Sequence, residues 1–298
     1  LPGGDSLCSL PDPAAMTAEI RRFSAADAAA LATYQQSLAE VLPVIKEVML
    51  MTPPEVANPS LTDLIGLFKL SRHFRQLGNP AKRLLLRLFA ISAGELLDDT
   101  FESAPIKAML GFDSIVGHFA SPYAPGTAYV LLHHVVGEVN GAPGAWGHAI
   151  GGMGAISDAM AKEALSLGVV IRTDTPVTEV LVRHNRALAV RTDDGTVLPA
   201  DLIVANVNPR LLYCDLLDES VVNPDTLAHF RQYKCGSGTF RMNVALRELP
   251  QFSARATPHC LTAGIIMAPS LDYMDQAYID ARRHGWSHSP IVEMLIPS

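Results

Sequence analysis

Residues 149–160 read AIGGMGAISDAM, and the interpretation of this stretch decides the fold of the whole chain. From Gly152 to Ser157 it matches all but the last position of G-x-G-x-x-G, the turn that places a dinucleotide pyrophosphate at a helix N-terminus. A helix-like run follows, and then the apolar run GVVIRTD, which ends in Asp174. This is the order, and roughly the spacing, of a Rossmann fingerprint.

The residues that precede Gly152 argue against this fingerprint. Its glycines form a strand-to-helix turn, so a strand has to end directly before them. Residues 141–150, GAPGAWGHAI, are loop-like instead, and the nearest apolar run, AYVLLHHVV, ends at Val136. Two interpretations stay open: a glycine-rich helix entry that allows close packing, and a first phosphate-binding turn. In both, the turn places backbone N–H groups where an anion can bind.

The composition is that of a globular chain with a large core. The 298 residues are 49% hydrophobic and 18% charged. A formal net charge of −7 without a run of Lys or Arg argues against a nucleic-acid partner. No run of eighteen apolar residues is present that could span a membrane. No C-x-x-C pair occurs, so we expect reduced thiols in a cytoplasmic protein; the cysteines are Cys8, Cys214, Cys235 and Cys260.

The two ends of the chain predict a fragment of a longer protein. The sequence begins with Leu1 rather than Met, and it ends in the strand-like run SPIVEMLIPS. Residues 1–15 are rich in Pro, Gly and Asp and do not resemble a signal peptide.

Hydrophobic periodicity predicts a helical first half and a mixed second half. Ser24 is the expected cap of a helix that runs to residue 51, with a kink at Pro43. Further helices are predicted at 61–77, 80–91, 92–101 and 104–117. In the second half, Gly168 is the expected C-terminal stop of a helix over 155–167. The remaining predictions are strands at 169–173, 177–183, 187–192, 201–205, 238–246, 261–267 and 290–296, and helices within 209–233 and 270–284.

Three longer stretches carry a family resemblance: SPYAPGTAYVLLHHVVGEVNGAPGAWGHAIGGMGAISDAMAKEAL at 121–165, PVTEVLVRHNRALAVRTDDGTVLPADLIVANVNP at 176–209, and SHSPIVEMLIPS at 287–298. The chain resembles the phytoene desaturase-like flavoproteins over nearly its whole length. The combination of A-W-G-x-x-x-G-G-M-G-A with a downstream D-G pair and A-N-x-x-P is far more specific than any of its parts.

The resemblance implies an α+β fold, related to α/β, that is the middle portion of a two-domain FAD-dependent amine oxidase or phytoene desaturase-like fold. Members of the family are longer, with an FAD fingerprint at the N-terminus and a second flavin-contacting segment near the C-terminus; this sequence has neither. Residues 1–145 are then the helical part of the substrate-binding domain. Residues 146–213 return to the FAD-binding domain with a helix and a β-meander, and 214–298 add a sheet and a helix to the substrate-binding domain.

The resemblance also implies cofactor contacts. A backbone amide and carbonyl at Pro176-Val177 are expected to pair with the adenine of FAD, although an ordinary strand start explains this pair equally well. Ala205 and Asn206 are expected to approach the cofactor from the carboxyl end of a strand. The glycines of the turn either let the backbone approach the flavin or pack against neighbouring strands; these are Gly151, Gly152 and Gly154.

No catalytic or metal-binding residue is predicted. The flavin carries out the bond-breaking in this chemistry, so no side-chain acid or base is required. His133 and His134 are adjacent, and adjacent helical residues point about 100° apart, which excludes the i, i+4 pair that zinc sites use. Packing, hydrogen bonding or a place in the wall of the substrate cavity are the alternatives for this pair. Trp146 is expected to be a core residue.

Three functional hypotheses follow. The first is a fragment of an FAD-dependent oxidoreductase that removes hydrogen from an apolar, isoprenoid or lipid-like substrate. The second is a flavin-free interaction or scaffold protein of the same family, and the third is a dehydrogenase that binds a nicotinamide cofactor at Gly152. Apolar helices within 24–117 could cover the substrate or touch a membrane surface. We expect the isolated chain to bind FAD weakly, to be inactive and to self-associate through uncovered sheet edges.

Overall fold

The computed structural model describes residues 1–296 except for 56, 140–141, 144–146, 148, 255–260 and 262–263. The predictions for Trp146 and Cys260 therefore lie outside the described residues. The chain divides into two compact units. The first unit comprises residues 1–148 and 237–298, and the second comprises 149–236. The assignment of segments to a substrate-binding and an FAD-binding domain stays a prediction.

Among the described residues helices predominate and three small sheets accompany them, which places the chain in the α+β class. The helices are α1 (Pro13–Arg21), α2 (Ala25–Leu50), α3 (Leu61–Gln76), α4 (Asn79–Ala90), α5 (Ala93–Asp98), α6 (Ala104–Gly111), α7 (Thr127–Val136), α8 (Met153–Ser166), α9 (Pro209–Leu211), α10 (Pro224–Arg231) and α11 (Leu271–His284). The strands are β1 (Glu138–Val139), β2 (Ala142–Pro143), β3 (Val177–Arg183), β4 (Arg186–Thr192), β5 (Val197–Pro199), β6 (Ile265–Met267) and β7 (Val292–Met294).

The core of the first unit is built around α2. Its N-terminus is fixed as the sequence predicts, because the Asp27 N–H donates to Ser24 Oγ (3.0 Å). The helix continues through Pro43. Its apolar residues recur at three and four positions and form one buried face; they include Leu31, Leu38, Val41 and Ile45. None of the described helices combines the length with the hydropathy that a membrane span requires.

The predicted helices of the first half are confirmed, with two differences. The sequence did not predict α1, which begins after Asp12, where the carboxylate accepts the Ala15 N–H (2.7 Å) and Pro13 fits the first helical position. The helix predicted over 104–117 ends at Gly111 and continues as a short 3-10 turn. The Ser114 hydroxyl donates to the Gly111 carbonyl (2.6 Å), a local bond that competes with the helix.

Two antiparallel pairs of strands complete the first unit: β1 with β2, and β6 with β7. The strands predicted over 261–267 and 290–296 are therefore present but short. The strand predicted over 238–246 is wrong, since this segment has no regular secondary structure and no strand partner among the described residues. Its alternating apolar side chains are exposed rather than half-buried; they are Phe240, Met242, Val244 and Leu246.

The second unit holds α8 and a three-stranded antiparallel meander in the order β3-β4-β5. The strands predicted at 177–183 and 187–192 are confirmed. The sharp reversal between them places both His184 and Asn185 at positive φ, 50° and 62°, as a two-residue hairpin turn requires. A tight turn at Asp194-Gly195 follows β4, with Gly195 at φ 84°. Gly168 ends α8 in the left-handed conformation, as predicted.

The strands predicted over 169–173 and 201–205 are wrong. Neither segment forms regular secondary structure, and neither pairs with another strand in the described part of the chain. Val170 is 78% exposed and Val204 is 84% exposed, although their apolar runs are typical of buried strands. A strand is stabilised by pairing with neighbouring strands, and these two segments have strand-like sequences but no described strand beside them.

Candidate functional site

The candidate site begins at the turn that enters α8. Gly151 and Gly152 have φ values of 88° and 80°, and the Gly152 N–H donates to the Ala149 carbonyl (2.9 Å). At Gly152 the ψ value of −174° completes a backbone conformation that is essentially confined to glycine. No side chain caps α8. The Ala155 N–H already donates to the Gly152 carbonyl (3.2 Å), and among the described residues the N–H groups of Met153 and Gly154 are left for an anionic or carbonyl ligand.

The glycines of this turn are surrounded by open space. A Cβ atom at Gly152 or Gly154 would meet no other atom within 4 Å, and one at Gly151 would meet only the Ala155 Cβ, at 3.3 Å. Close packing against a neighbouring element therefore does not explain Gly152 or Gly154 within the described residues. Their predicted role, a close approach of the backbone to the flavin, stays a prediction.

The start of β3 offers a second set of backbone groups. The strand lies at the edge of its sheet, so its outer side has no strand partner among the residues described. The Pro176 carbonyl accepts the Asp193 N–H (3.0 Å), and the pairing with β4 shifts register between Val177 and Glu179. Val177 is 40% exposed. A strand edge without a strand partner can pair with the polar edge of a flat ligand, and the predicted adenine contact stays a prediction.

Ala205 and Asn206 lie in the same unit but in a different setting from the one predicted. The sequence placed them at the carboxyl end of a strand, whereas they follow an extended segment that pairs with no described strand. Both are exposed. The seven predicted cofactor residues all fall in the second unit, and their role toward FAD stays a prediction.

The arrangement fits FAD in part. The uncapped N-terminus of α8 and the outer edge of β3 provide backbone donors and acceptors, as a bound dinucleotide requires. The strand followed by G-x-G-x-x-G that would bind the pyrophosphate is absent from this sequence. Backbone donors and acceptors are thus present at the α8 turn and at β3, while their contact with FAD stays a prediction.

A group of titratable side chains lies apart from this site, in the first unit. The Nδ1 atoms of His133 and His134 both lie within hydrogen-bond distance of the Val130 carbonyl oxygen (2.6 and 3.0 Å). Burial raises the pKa of the Asp113 carboxyl, an effect that the His134 imidazole partly offsets. The hydrogen bonding expected for this histidine pair is therefore present, while a place in a substrate cavity stays a prediction.

A groove of about 490 Å³ lies between α2, α4 and α5 in the first unit. Its volume is within the range of small-molecule sites. Tyr34 lines it and packs edge-on against Phe101, with ring centroids 5.3 Å apart. Burial raises the pKa of the Tyr34 phenol far above its usual value, and its hydroxyl has no hydrogen-bond partner among the described residues. Sequence patterns do not predict this groove, because it arises from three separate helices.

Comparison with known proteins identifies the family signal. The profile described as "Flavin containing amine oxidoreductase" matches residues 49–239. This range includes all seven predicted cofactor residues. No solved structure matches the chain significantly.

Two mammalian relatives match almost the whole chain. The mouse "Pyridine nucleotide-disulfide oxidoreductase domain-containing protein 2" is 29% identical over 302 residues, which cover 96% of this chain and 52% of the relative. The rat protein of the same name is 28% identical and covers 94% of this chain and 51% of its own length. The chain therefore spans about half the length of these curated relatives.

A shorter match links the chain to carotenoid enzymes. The "Phytoene desaturase (neurosporene-forming)" of Rhodobacter capsulatus is 45% identical over 71 residues, which cover 24% of this chain and 14% of the relative. Together with the two mammalian matches, this confirms the resemblance to phytoene desaturase-like flavoproteins.

Proposed function

The chain belongs to the family of flavin-containing amine oxidoreductases, and from this premise we propose that it is the central part of an FAD-dependent oxidoreductase. The reaction is removal of hydrogen from an apolar, isoprenoid or lipid-like substrate. The observation that carries the proposal is the family match over residues 49–239, joined to relatives of which the chain spans about half.

In this proposal, the second unit contributes backbone contacts to the cofactor. The uncapped first turn of α8 and the outer edge of β3 would hold FAD. Gly152 would let the backbone come close to the cofactor, and the backbone of Val177 would pair with it. FAD, when bound, supplies the two-electron oxidation. The chain's own residues bind and orient the cofactor, and no side chain of the chain is assigned a proton transfer.

The proposed apolar substrate is supported from two directions. The names of several partial relatives give phytoene or hydroxyneurosporene as the compound that is desaturated. In the chain itself, α3 buries none of its residues and leaves an apolar row exposed, which is an arrangement suited to covering an apolar ligand or touching a lipid surface. The row consists of Leu61, Leu64, Ile65 and Phe68.

The test is the flavin content of the protein produced from its whole reading frame. We expect the purified protein to be yellow, with the absorption bands of bound flavin, and the 298-residue chain alone to retain FAD at well below one equivalent. Anaerobic addition of an apolar polyene or lipid substrate should bleach the bands. A whole protein without flavin would overturn the proposal and favour the interaction or scaffold alternative.

A further inference from the structure

The end of α11 brings three metal-binding side chains together in the first unit. Asp280 and His284 lie four residues apart and so on one face of the last helical turns. Gly285 ends the helix in the left-handed conformation, with φ 82°, and its N–H donates to the Ala281 carbonyl (2.9 Å). This turn reverses the chain and places His288 beside Asp280.

The distances within this group suit a single ion. One ligand atom from each of Asp280, His284 and His288 lies within 4.8 Å of the other two. Asp280 Oδ2 and His288 Nδ1 are 3.2 Å apart. Two ligands of a tetrahedral zinc ion, each about 2.0 Å from the metal, are separated by roughly 3.3 Å. The Asp280–His288 pair therefore already has the spacing of two metal ligands, and a ligand atom of His284 lies within 4.8 Å of both.

The surroundings favour a cation at this position. Gln276 Nε2 donates to Asp280 Oδ1 (2.8 Å), which fixes the carboxylate and leaves Oδ2 turned toward His288. Such outer partners orient the ligands of metal sites. The C-terminal end of α11 adds partial negative charge from its last carbonyl groups. Both histidines are exposed, so an ion can enter from solvent.

We propose that Asp280, His284 and His288 bind one divalent transition-metal ion, with Zn²⁺ as the expected ion. Two imidazole nitrogens and one carboxylate oxygen form a ligand set that zinc accepts, and a water molecule completes four-coordination. The ion fastens the turn after Gly285 to the last turns of α11. The site is independent of FAD and goes beyond the proposed oxidoreductase function.

The site differs from the histidine pair that the sequence singled out. His133 and His134 are adjacent, whereas Asp280, His284 and His288 recur every four residues. A continuous helix over 280–288 would place the three on one face, and the turn at Gly285 brings His288 back to the same place by another route.

Zinc titration of the 298-residue chain by calorimetry tests the site. We expect one equivalent of Zn²⁺ to bind the wild-type chain, and at least tenfold weaker binding to His284→Ala, His288→Ala and Asp280→Asn. The matched control is His118→Ala, which removes an exposed histidine of the same unit outside the cluster. Replacement of zinc by Co²⁺ should give the visible absorption bands of a low-symmetry site in the wild type and the control.

Circular dichroism shows whether each variant is still folded. A variant that keeps the wild-type spectrum but binds zinc more weakly has lost a metal ligand and not the fold. Zinc binding that is equally strong in the His284→Ala/His288→Ala double variant would overturn the site. A wild-type chain that does not bind zinc at all would overturn it as well.

Discussion

At the scale of single residues, Asp27 joins two parts of the helical unit. Its carboxylate is 1% exposed and accepts the backbone N–H groups of Glu102 (2.8 Å) and Ser103 (2.9 Å). The Ser24 hydroxyl, which caps the same helix, donates to Glu102 Oε1 (2.6 Å). Asp27 therefore links the start of α2 to the start of α6.

We expect Asp27→Ala to lower the free energy of unfolding by roughly 2–4 kcal/mol, because two part-buried N–H groups lose their acceptor. Thermal unfolding followed by circular dichroism measures the loss. Asp99→Ala is the control, since the Asp99–Arg87 ion pair (2.5 Å) is exposed and should contribute less than about 1 kcal/mol. Equal losses in the two variants would contradict the assigned role of Asp27.

The half-buried carboxyl of Asp113 gives a pH-dependent prediction. Burial raises its pKa in the folded state, Glu293 raises it further, and His134 and His133 lower it. A carboxyl whose folded pKa lies above the unfolded value stabilises the fold below the unfolded pKa and loses that contribution as pH rises through the folded pKa. Asp113 ionised at neutral pH therefore destabilises the fold.

Asp113→Asn should accordingly raise the unfolding temperature at pH 7, and the gain over the wild type should shrink as pH falls toward 4. Unfolding temperatures measured across that range check the prediction. Asp201→Asn, at an exposed position of the other unit, is the control and should give little change at any pH. A gain that does not vary with pH would mean that ionisation of Asp113 is not its cause.

At the scale of elements, substitutions of two glycines at opposite ends of α8 distinguish an effect on helix stability from an effect on flavin binding. Gly154 is helical and open, so Gly154→Ala should stabilise the helix by about 0.5–1 kcal/mol. Gly168 has φ 85°, so Gly168→Ala should destabilise it by about 1–2 kcal/mol. If the α8 entrance approaches FAD, Gly154→Ala should reduce the flavin content of the whole protein while Gly168→Ala leaves it unchanged.

Flavin absorbance per protein and the unfolding temperature, measured on both variants, test this prediction. The expected pattern is opposite in the two readouts: the more stable variant holds less flavin. Flavin content that simply follows stability would contradict a role for the α8 entrance in binding.

The elements predicted correctly are those whose signals are local. Ser24, Asp27 and the apolar face of α2 define a helix within one stretch of sequence, and the β3-β4 hairpin joins neighbours in the chain. The strands predicted at 169–173 and 201–205 have the composition of strands, but a strand also needs a partner, and composition cannot supply one. The same holds for 238–246.

In the candidate site, too, the features that could be predicted are those with a local signal in the sequence. The glycine turn at Gly151-Gly152 was visible as a motif, and the structure gives it the left-handed backbone that glycine permits. The open outer edge of β3 depends on sheet order, which no local pattern contains. His288 reaches Asp280 because the chain turns at Gly285. The four-residue spacing of Asp280, His284 and His288 is visible in the sequence, but the sequence does not show that the turn brings these side chains together.

At the scale of the whole molecule, the second unit leaves much of its apolar surface in solvent. α8 buries none of its residues, and the extended segments on either side of the meander are equally open. Leu202 is 78% exposed, close to the values for Val170 and Val204. Exposed apolar surface joined to unpaired backbone is a site of association between chains.

We therefore expect the isolated chain to self-associate, with a mass in light scattering above that of one chain and increasing with concentration. Val170→Lys and Val204→Lys together should lower that mass without lowering the unfolding temperature, because both side chains are already exposed. Gln232→Lys adds a charge at an exposed polar position of the same unit and should leave the mass unchanged. A wild-type chain that stays monodisperse and monomeric over the concentration range would contradict the prediction, since the exposed segments would then not drive association.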